Sequence, residues 1–248
     1  RHALVRHSGR VEISAHRGGG ESAALASMDA YRSSVDTGAE LVELDVRRTG
    51  DDELVAYHDG VVAGQLLSGL TYPRLCELAG HPVPRVTEVM ELLAGRVRTH
   101  LDLKEAGYEP HVIALAEATA GAGNFLVTSL EPEAVATIKR DFPAVRVGLS
   151  LGRPLSGTSL RHQVRTRYAE LLPVRGLTAC GADFASMHHR LADLGVLRRC
   201  AAAGIPAMVW TVNSPAMIDR FLADPRVSVL VTDRPEYAVR RRATLTVT

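Results

Sequence analysis

Apolar residues recur along this chain in short β-rich runs separated by longer stretches of helical periodicity. Val11-Glu12-Ile13-Ser14-Ala15 reads as a first strand. A stripe of Leu25, Met28, Ala30, Tyr31 and Val35 then predicts a helix over Glu21 to Thr37, stopped by Gly38. Glu40 to Val46 reads as a strand, Gly50-Asp51-Asp52 as a turn and Leu54 to Tyr57 as a short returning strand, together a hairpin. Residues 60–86 carry Gly69, Pro73, Gly80, Pro82 and Pro84, and predict an irregular excursion with one short helix around Tyr72 to Leu78. Such a stretch suits a lid or a substrate-selecting segment.

From Thr87 the alternation becomes regular. Helices are expected at Thr87 to Leu93, Pro110 to Ala120, Pro132 to Asp141, Gln163 to Leu171, Ala192 to Ala203, Pro215 to Ala223 and from Pro235 onward. Strands are expected between them at Val97 to Leu103, Phe125 to Ser129, Val145 to Leu149, Ala182 to Ser186, Ala207 to Val212 and Val227 to Thr232. With the strands of Ile13 and Glu43 these make about eight core strands, each followed by helix or loop. The pattern predicts the α/β class and a single-domain (β/α)8 TIM barrel with its core over about 11–242 and the excursion after its second strand.

Composition narrows the functions. The 248 residues are enough for one large domain of this kind, and 46% hydrophobic with 23% charged residues excludes a disordered chain. A formal charge of +1 gives no reason to expect a nucleic-acid partner. The basic clusters Arg161 to Arg167 and Arg240-Arg241-Arg242 read as solvated helix faces. Cys76, Cys180 and Cys200 are widely spaced and make no Cys-x-x-Cys pattern, so neither a disulfide framework nor a thiolate zinc site is expected. No transmembrane run is present, and Arg1 to His7 lacks the apolar core of a signal peptide, which predicts cytoplasmic residence. Oligomeric state is not legible.

Candidate chemistry collects at strand ends. Glu43 and Asp45 are two apart in a strand and so point to one face. If that face looks into a barrel mouth, the two carboxylates converge as a hard divalent cation with oxygen ligands requires; on an edge strand the same pair would be two solvated charges. Leu101-Asp102-Leu103-Lys104 adds a carboxylate and a lysine at the end of another apolar run. His16, Glu43, Asp45, Asp102, Lys104, Trp210, Asn213 and Asp233 all fall at C-terminal strand ends, the rim where such barrels keep their functional residues.

Six short motifs, His16-Arg17-Gly18, Glu43-Leu44-Asp45, His58-Asp59, Asp102-Leu103-Lys104, Trp210-Thr211-Val212-Asn213 and Thr232-Asp233-Arg234-Pro235, run in an order that resembles the glycerophosphodiester phosphodiesterase family from about Ile13 to about Val239. The resemblance implies cleavage of a small-molecule phosphodiester to an alcohol and a phosphomonoester. His16 and His58 would be the catalytic acid and base, and Glu43, Asp45 and Asp102 would hold one divalent cation, Mg²⁺ or Ca²⁺. Arg17 and Lys104 would surround the phosphoryl group, and Trp210 would wall the pocket. A specialised phosphodiesterase for a lipid headgroup or secondary metabolite, and a catalytically silent barrel binding phosphorylated ligands, are the other readings.

Two departures mark this chain. Family members usually carry Pro-Glu-Asn-Thr after His-Arg-Gly, where this chain has Gly19-Gly20-Glu21-Ser22-Ala23. The third carboxylate is usually glutamate; Asp102 is one methylene shorter, as in the related sphingomyelinase D toxins, which bears on metal preference and on release of a cyclic phosphate. Asp233 either orients a neighbouring basic residue or caps the helix from Pro235, capping being the commoner device. His188-His189 is a further histidine pair at the end of the sixth strand.

Overall fold

The computed structural model describes residues 10–153, 155 and 157–245, so the N-terminal stretch examined for a signal lies outside the described residues. Eight parallel strands close into a barrel: β1 (Glu12–Ala15), β2 (Leu41–Arg48), β3 (Arg98–Leu103), β4 (Phe125–Ser129), β5 (Val147–Leu151), β6 (Phe184–His188), β7 (Ala207–Trp210) and β8 (Val227–Thr232). β1 closes it, pairing with β8 on one side and β2 on the other. This is the single-domain (β/α)8 barrel that the alternation predicts. No described helix is long and apolar enough to cross a membrane.

Strand alternation creates two cores. Leu41, Leu126, Phe184, Met208, Val229 and Val231 fill the barrel itself, with Trp210 packed on top. Gly148 on β5 makes room for one of them, since a Cβ there would lie 2.2 Å from the Phe184 ring. The outward positions, among them Ile13, Leu44, Leu101, Val127 and Val209, pack against the helices. At the bottom, Arg242 of the last helix (Pro235–Leu245) donates to Glu40 at 2.8 Å and to the Val11 carbonyl at 2.7 Å, while Glu40 accepts the Ile13 N–H at 2.9 Å. That clamp ties the end of the chain to its first strand.

Several expected elements differ. The helix expected over Glu21 to Thr37 is only Met28–Ser34, because Gly18 and Gly19 take positive φ, Ala26 turns left-handed at φ 61, and the Ser27 side chain then caps the helix by accepting from Ala30 N–H. β5 and β6 lie two residues later than expected. Helix 192–203 breaks into His189–Asp193 and Val196–Ala202 around Gly195 (φ 87), and Pro173 starts an unexpected helix, Pro173–Cys180. The helices Pro132–Asp141 and Pro215–Ala223 stand where the periodicity and their leading prolines put them.

The expected hairpin forms: Leu54–Ala56 runs antiparallel to β2, pairing Val46 with Ala56, and Tyr57 N–H donates to the Asp45 carbonyl at 3.1 Å. This delivers His58 to the rim. The excursion that follows holds a two-residue ribbon (Val61–Val62 with Gln65–Leu66) and the helix Tyr72–Ala79. Val62, Leu67, Leu70, Leu75 and Val83 pack on Val55 in a small core of their own.

Candidate active site

The register of β2 on β3 sets Asp45 beside Asp102 and Glu43 beside His100. Because residues two apart share a face, the three carboxylates of Glu43, Asp45 and Asp102 converge, with ligand oxygens within 4.8 Å of one another. Glu43 and Asp45 are buried. Lys104, two residues beyond Asp102, places its Nζ 2.7 Å from Asp45 Oδ1 and 2.5 Å from Asp102 Oδ2. Arg17 Nε lies 2.7 Å from Asp45 Oδ2, and the Arg17 N–H donates to Glu43 Oε2 at 2.8 Å. For that contact the chain turns sharply after β1: Arg17 is left-handed (φ 48), and a Cβ on Gly18 would lie 2.8 Å from the backbone at Ala30 and Tyr31.

The carboxylates respond in opposite ways. Burial pushes the Glu43 carboxyl up to about 8, with the Asp45 charge adding to the effect. Burial alone would raise Asp45 too, but the Lys104 and Arg17 charges hold it down to about 2. Asp45 has Arg17 and Lys104 within 2.7 Å, whereas among the described residues no Lys or Arg side chain forms an ion pair with Glu43. An oxygen donor set of this kind, with one buried carboxyl short of positive charge, fits a hard divalent cation.

Two histidines flank the cluster, each backed by a carboxylate. His16 Nδ1 is 2.5 Å from Asp233 Oδ1, and Asn213 holds the same carboxylate by donating to Oδ2 at 2.5 Å. A carboxylate only accepts, so Nδ1 carries the hydrogen and Nε2 is left for chemistry. Burial pulls the His16 pKa down, but the Asp233 hydrogen bond and the Glu43 charge outweigh it, for a net rise. His58 Nδ1 makes the same kind of bond to Asp59 Oδ1 at 2.7 Å, and Arg47 Nε fixes its backbone by donating to the His58 carbonyl at 2.8 Å. Capping of the last helix, given above as the commoner reading of Asp233, falls instead to Glu21. Its Oε2 accepts from Glu236 N–H at 2.8 Å and Tyr237 N–H at 3.3 Å. Asp233 is drawn away because His16 and Asn213 converge on both its oxygens.

Beneath the carboxylates runs a buried polar chain that motif reading missed. Thr128 Oγ1 donates to Asp102 Oδ1 at 2.6 Å and accepts from His100 Nε2 at 2.8 Å, while Ser14 Oγ lies 3.2 Å from His100 Nδ1. With the threonine proton committed to Asp102, His100 must present Nε2–H to Thr128 and accept from Ser14 through Nδ1. Burial holds its pKa down to about 4, in keeping with a neutral ring. The signal was available: His100 and Asp102 alternate on β3 and so share its face, and Lys104 continues the alternation just past the strand's end.

The two histidines, the three carboxylates, Arg17, Lys104, His100 and Thr128 open into one cavity of about 440 Å³ at the C-terminal mouth, walled by Trp210 and, just past the ends of β4 and β5, by Leu130, Glu131 and Arg153. His16, Arg17, Glu43, Asp45, His58, Asp102, Lys104 and Trp210 all line it; His188 and His189 do not. His188 packs edge-on behind Trp210, ring centroids 5.2 Å apart, and its Nδ1 accepts from Arg190 N–H. From the excursion, Gly60 reaches the cavity wall.

The model of the glycerophosphoryl diester phosphodiesterase family matches residues 16–237. The chain belongs to this family. It is accordingly a phosphoric diester hydrolase. The Bacillus subtilis protein YhdW, named as a glycerophosphodiester phosphodiesterase, is 22% identical over 92% of this chain and 96% of its own. Among solved structures, a glycerophosphodiester phosphodiesterase from Parabacteroides distasonis superposes with a TM-score of 0.78 at 20% identity, covering 96% of this chain and 98% of that one. An Oleispira antarctica phosphodiesterase, solved with the product sn-glycerol-3-phosphate, superposes with a TM-score of 0.70 at 18% identity, covering 97% and 99%. At these identities the structures show the shared barrel. In the segment after Gly18, Glu21 is held by the backbone N–H groups that open the last helix.

Proposed function

We propose that the chain is a glycerophosphodiester phosphodiesterase dependent on one divalent cation, Mg²⁺ or Ca²⁺, releasing an alcohol and a phosphomonoester of the glycerol 3-phosphate type. The observation that carries this reading is the presence, in one cavity, of two carboxylate-backed histidines beside a three-carboxylate cluster. Glu43, Asp45 and Asp102 would hold the cation. Bound there, it supplies positive charge to the non-bridging phosphate oxygens.

The chain's own groups account for the rest. Arg17 and Lys104 add positive charge around the phosphoryl group. A glycerophosphodiester carries a hydroxyl beside its phosphorylated carbon, so the nearest nucleophile is already tethered. One histidine Nε2 takes that hydroxyl's proton as its oxygen bonds to phosphorus. The bond to the leaving alcohol breaks with its electron pair, and the other histidine protonates the departing oxygen. The five-membered cyclic phosphate is then opened by water with the histidine roles reversed. Trp210 offers an apolar wall for the departing group.

Phosphorus NMR during turnover of glycerophosphodiesters, with and without EDTA, tests this reading, with a deoxy analogue lacking the neighbouring hydroxyl as control. The expected result is EDTA-sensitive cleavage through a transient cyclic species and no cleavage of the analogue. Undiminished cleavage of the analogue would refute the neighbouring-hydroxyl route, and full activity in EDTA would refute the cation. Calorimetry with Mg²⁺, Ca²⁺ and Mn²⁺ locates the ion: Glu43→Gln combined with Asp45→Asn should abolish binding.

A further inference from the structure

The helix Leu160–Leu171 is built the wrong way round for a barrel helix. Leu160, Val164 and Tyr168 recur every fourth residue and so share one side, the side that normally faces the core. Here they are 75%, 62% and 67% exposed, and Leu172 just beyond is 46% exposed. Arg161 and Arg165 line the same shallow depression as Leu160, Val164 and Tyr168. Glu170, the only acidic residue of this helix, is turned inward: it accepts from Gly152 N–H at 2.8 Å and Arg153 N–H at 3.0 Å and pairs with Arg167. The outward face is thus apolar and cationic without a carboxylate.

The helix is also fixed to the mouth. Arg167 Nη2 donates to the Arg153 carbonyl at 2.9 Å, and Arg153 itself lines the catalytic cavity, its Nη2 2.9 Å from Glu131 Oε1. Whatever the exposed row touches is therefore held beside the cavity opening.

We propose that this face docks on an anionic lipid surface. An apolar row that enters the boundary of the acyl region, with guanidinium groups reaching along it to phosphate headgroups and a tyrosine at the same level, is the chemistry of an interfacial helix. Charge argues against a second copy of the chain, since a two-fold contact through this face would bring the Arg161 and Arg165 rows of both copies together.

The test uses the whole chain and reads binding without turnover, so it succeeds or fails independently of the reaction proposed above. Co-sedimentation is measured with vesicles of phosphatidylcholine alone and with phosphatidylglycerol added. The expected result is binding to the anionic vesicles, reduced at least tenfold by Val164→Asp with Tyr168→Asp, and likewise by Arg161→Glu with Arg165→Glu. Thermal unfolding and hydrolysis of a soluble diester should be unchanged in both variants. Absence of vesicle binding, or equal binding by the variants, would overturn the proposal. A concentration-dependent dimer in sedimentation velocity, abolished by Val164→Asp, would overturn it in favour of a second copy.

Discussion

Asp233 Oδ1 stands 2.5 Å from His16 Nδ1, joining residues 217 apart in sequence across the closure of the barrel. The bond holds the His16 ring in the tautomer that leaves Nε2 available for the proton transfer proposed above. Asp233→Asn should lower turnover by roughly 10- to 100-fold, the usual effect of losing a partner that orients a histidine. His16→Ala or His58→Ala should cost about 10²- to 10⁴-fold. Calorimetry should show cation binding intact in all three variants. Loss of binding in Asp233→Asn would mean that it shapes the carboxylate cluster and not the histidine.

His100 should matter although it touches none of the reacting groups. His100→Phe leaves the Thr128 and Ser14 hydroxyls without this ring, which should cost about 1–3 kcal/mol of stability. Because Thr128 orients Asp102, cation affinity should fall by roughly 10- to 100-fold as well. Urea unfolding and calorimetry read the two effects separately. An unchanged affinity would confine His100 to packing.

Gly148 and Phe184 are predicted to be energetically coupled. Gly148→Ala drives a methyl group into the Phe184 ring and should destabilise the barrel by about 1–3 kcal/mol or more. The shorter side chain of Phe184→Leu should make Gly148→Ala less costly, giving a non-additive double-mutant cycle in urea unfolding. Strict additivity would show that the barrel yields elsewhere.

The clamp at the barrel bottom should make stability pH-dependent. Burial alone would raise the Glu40 carboxyl, but hydrogen bonds from Arg242 and the Ile13 N–H, with the charges of Arg242 and Arg10, lower it below its ordinary value. The folded state therefore binds this proton less readily than the unfolded one. Its stabilisation is fully present above the ordinary carboxylate pKa and is lost as pH falls through the depressed folded value. Glu40→Gln should accordingly be less stable than the parent at neutral pH, with the gap closing under acid. Urea unfolding from pH 7 downward measures it, and a gap constant with pH would assign the loss to packing.

Period and spacing were enough for the barrel. Alternating β-branched runs and amphipathic stretches are local signals, and a chain with eight such alternations has few ways to bury all its apolar faces other than a (β/α)8 barrel. Local too were Glu43 with Asp45, and Asp102 with Lys104, since residues two apart on a strand share a face whatever the strand joins. What stayed illegible were choices decided by partners far along the chain. The residues after Gly18 carry helical periodicity, yet they remain irregular because the Gly18 backbone packs against Ala30 and Tyr31 and the Glu21 side chain is taken by the N–H groups of Glu236 and Tyr237. Local sequence favoured Asp233 as a helix cap over a partner for a histidine. Closure of β1 against β8 brought His16 to one of its oxygens, and the pairing of β7 with β8 brought Asn213 to the other.

The sequence by itself thus determined which residues lie at strand ends and which faces they share, because backbone geometry alone sets both. The tertiary structure decided which of them meet. It aligned Asp45 with Asp102 through strand register, threaded His100 and Thr128 beneath them, and turned the Leu160, Val164 and Tyr168 row outward beside the mouth. Register, closure and the facing of a helix depend on the summed packing and pairing of segments distant in sequence, and no short window of residues carries that information.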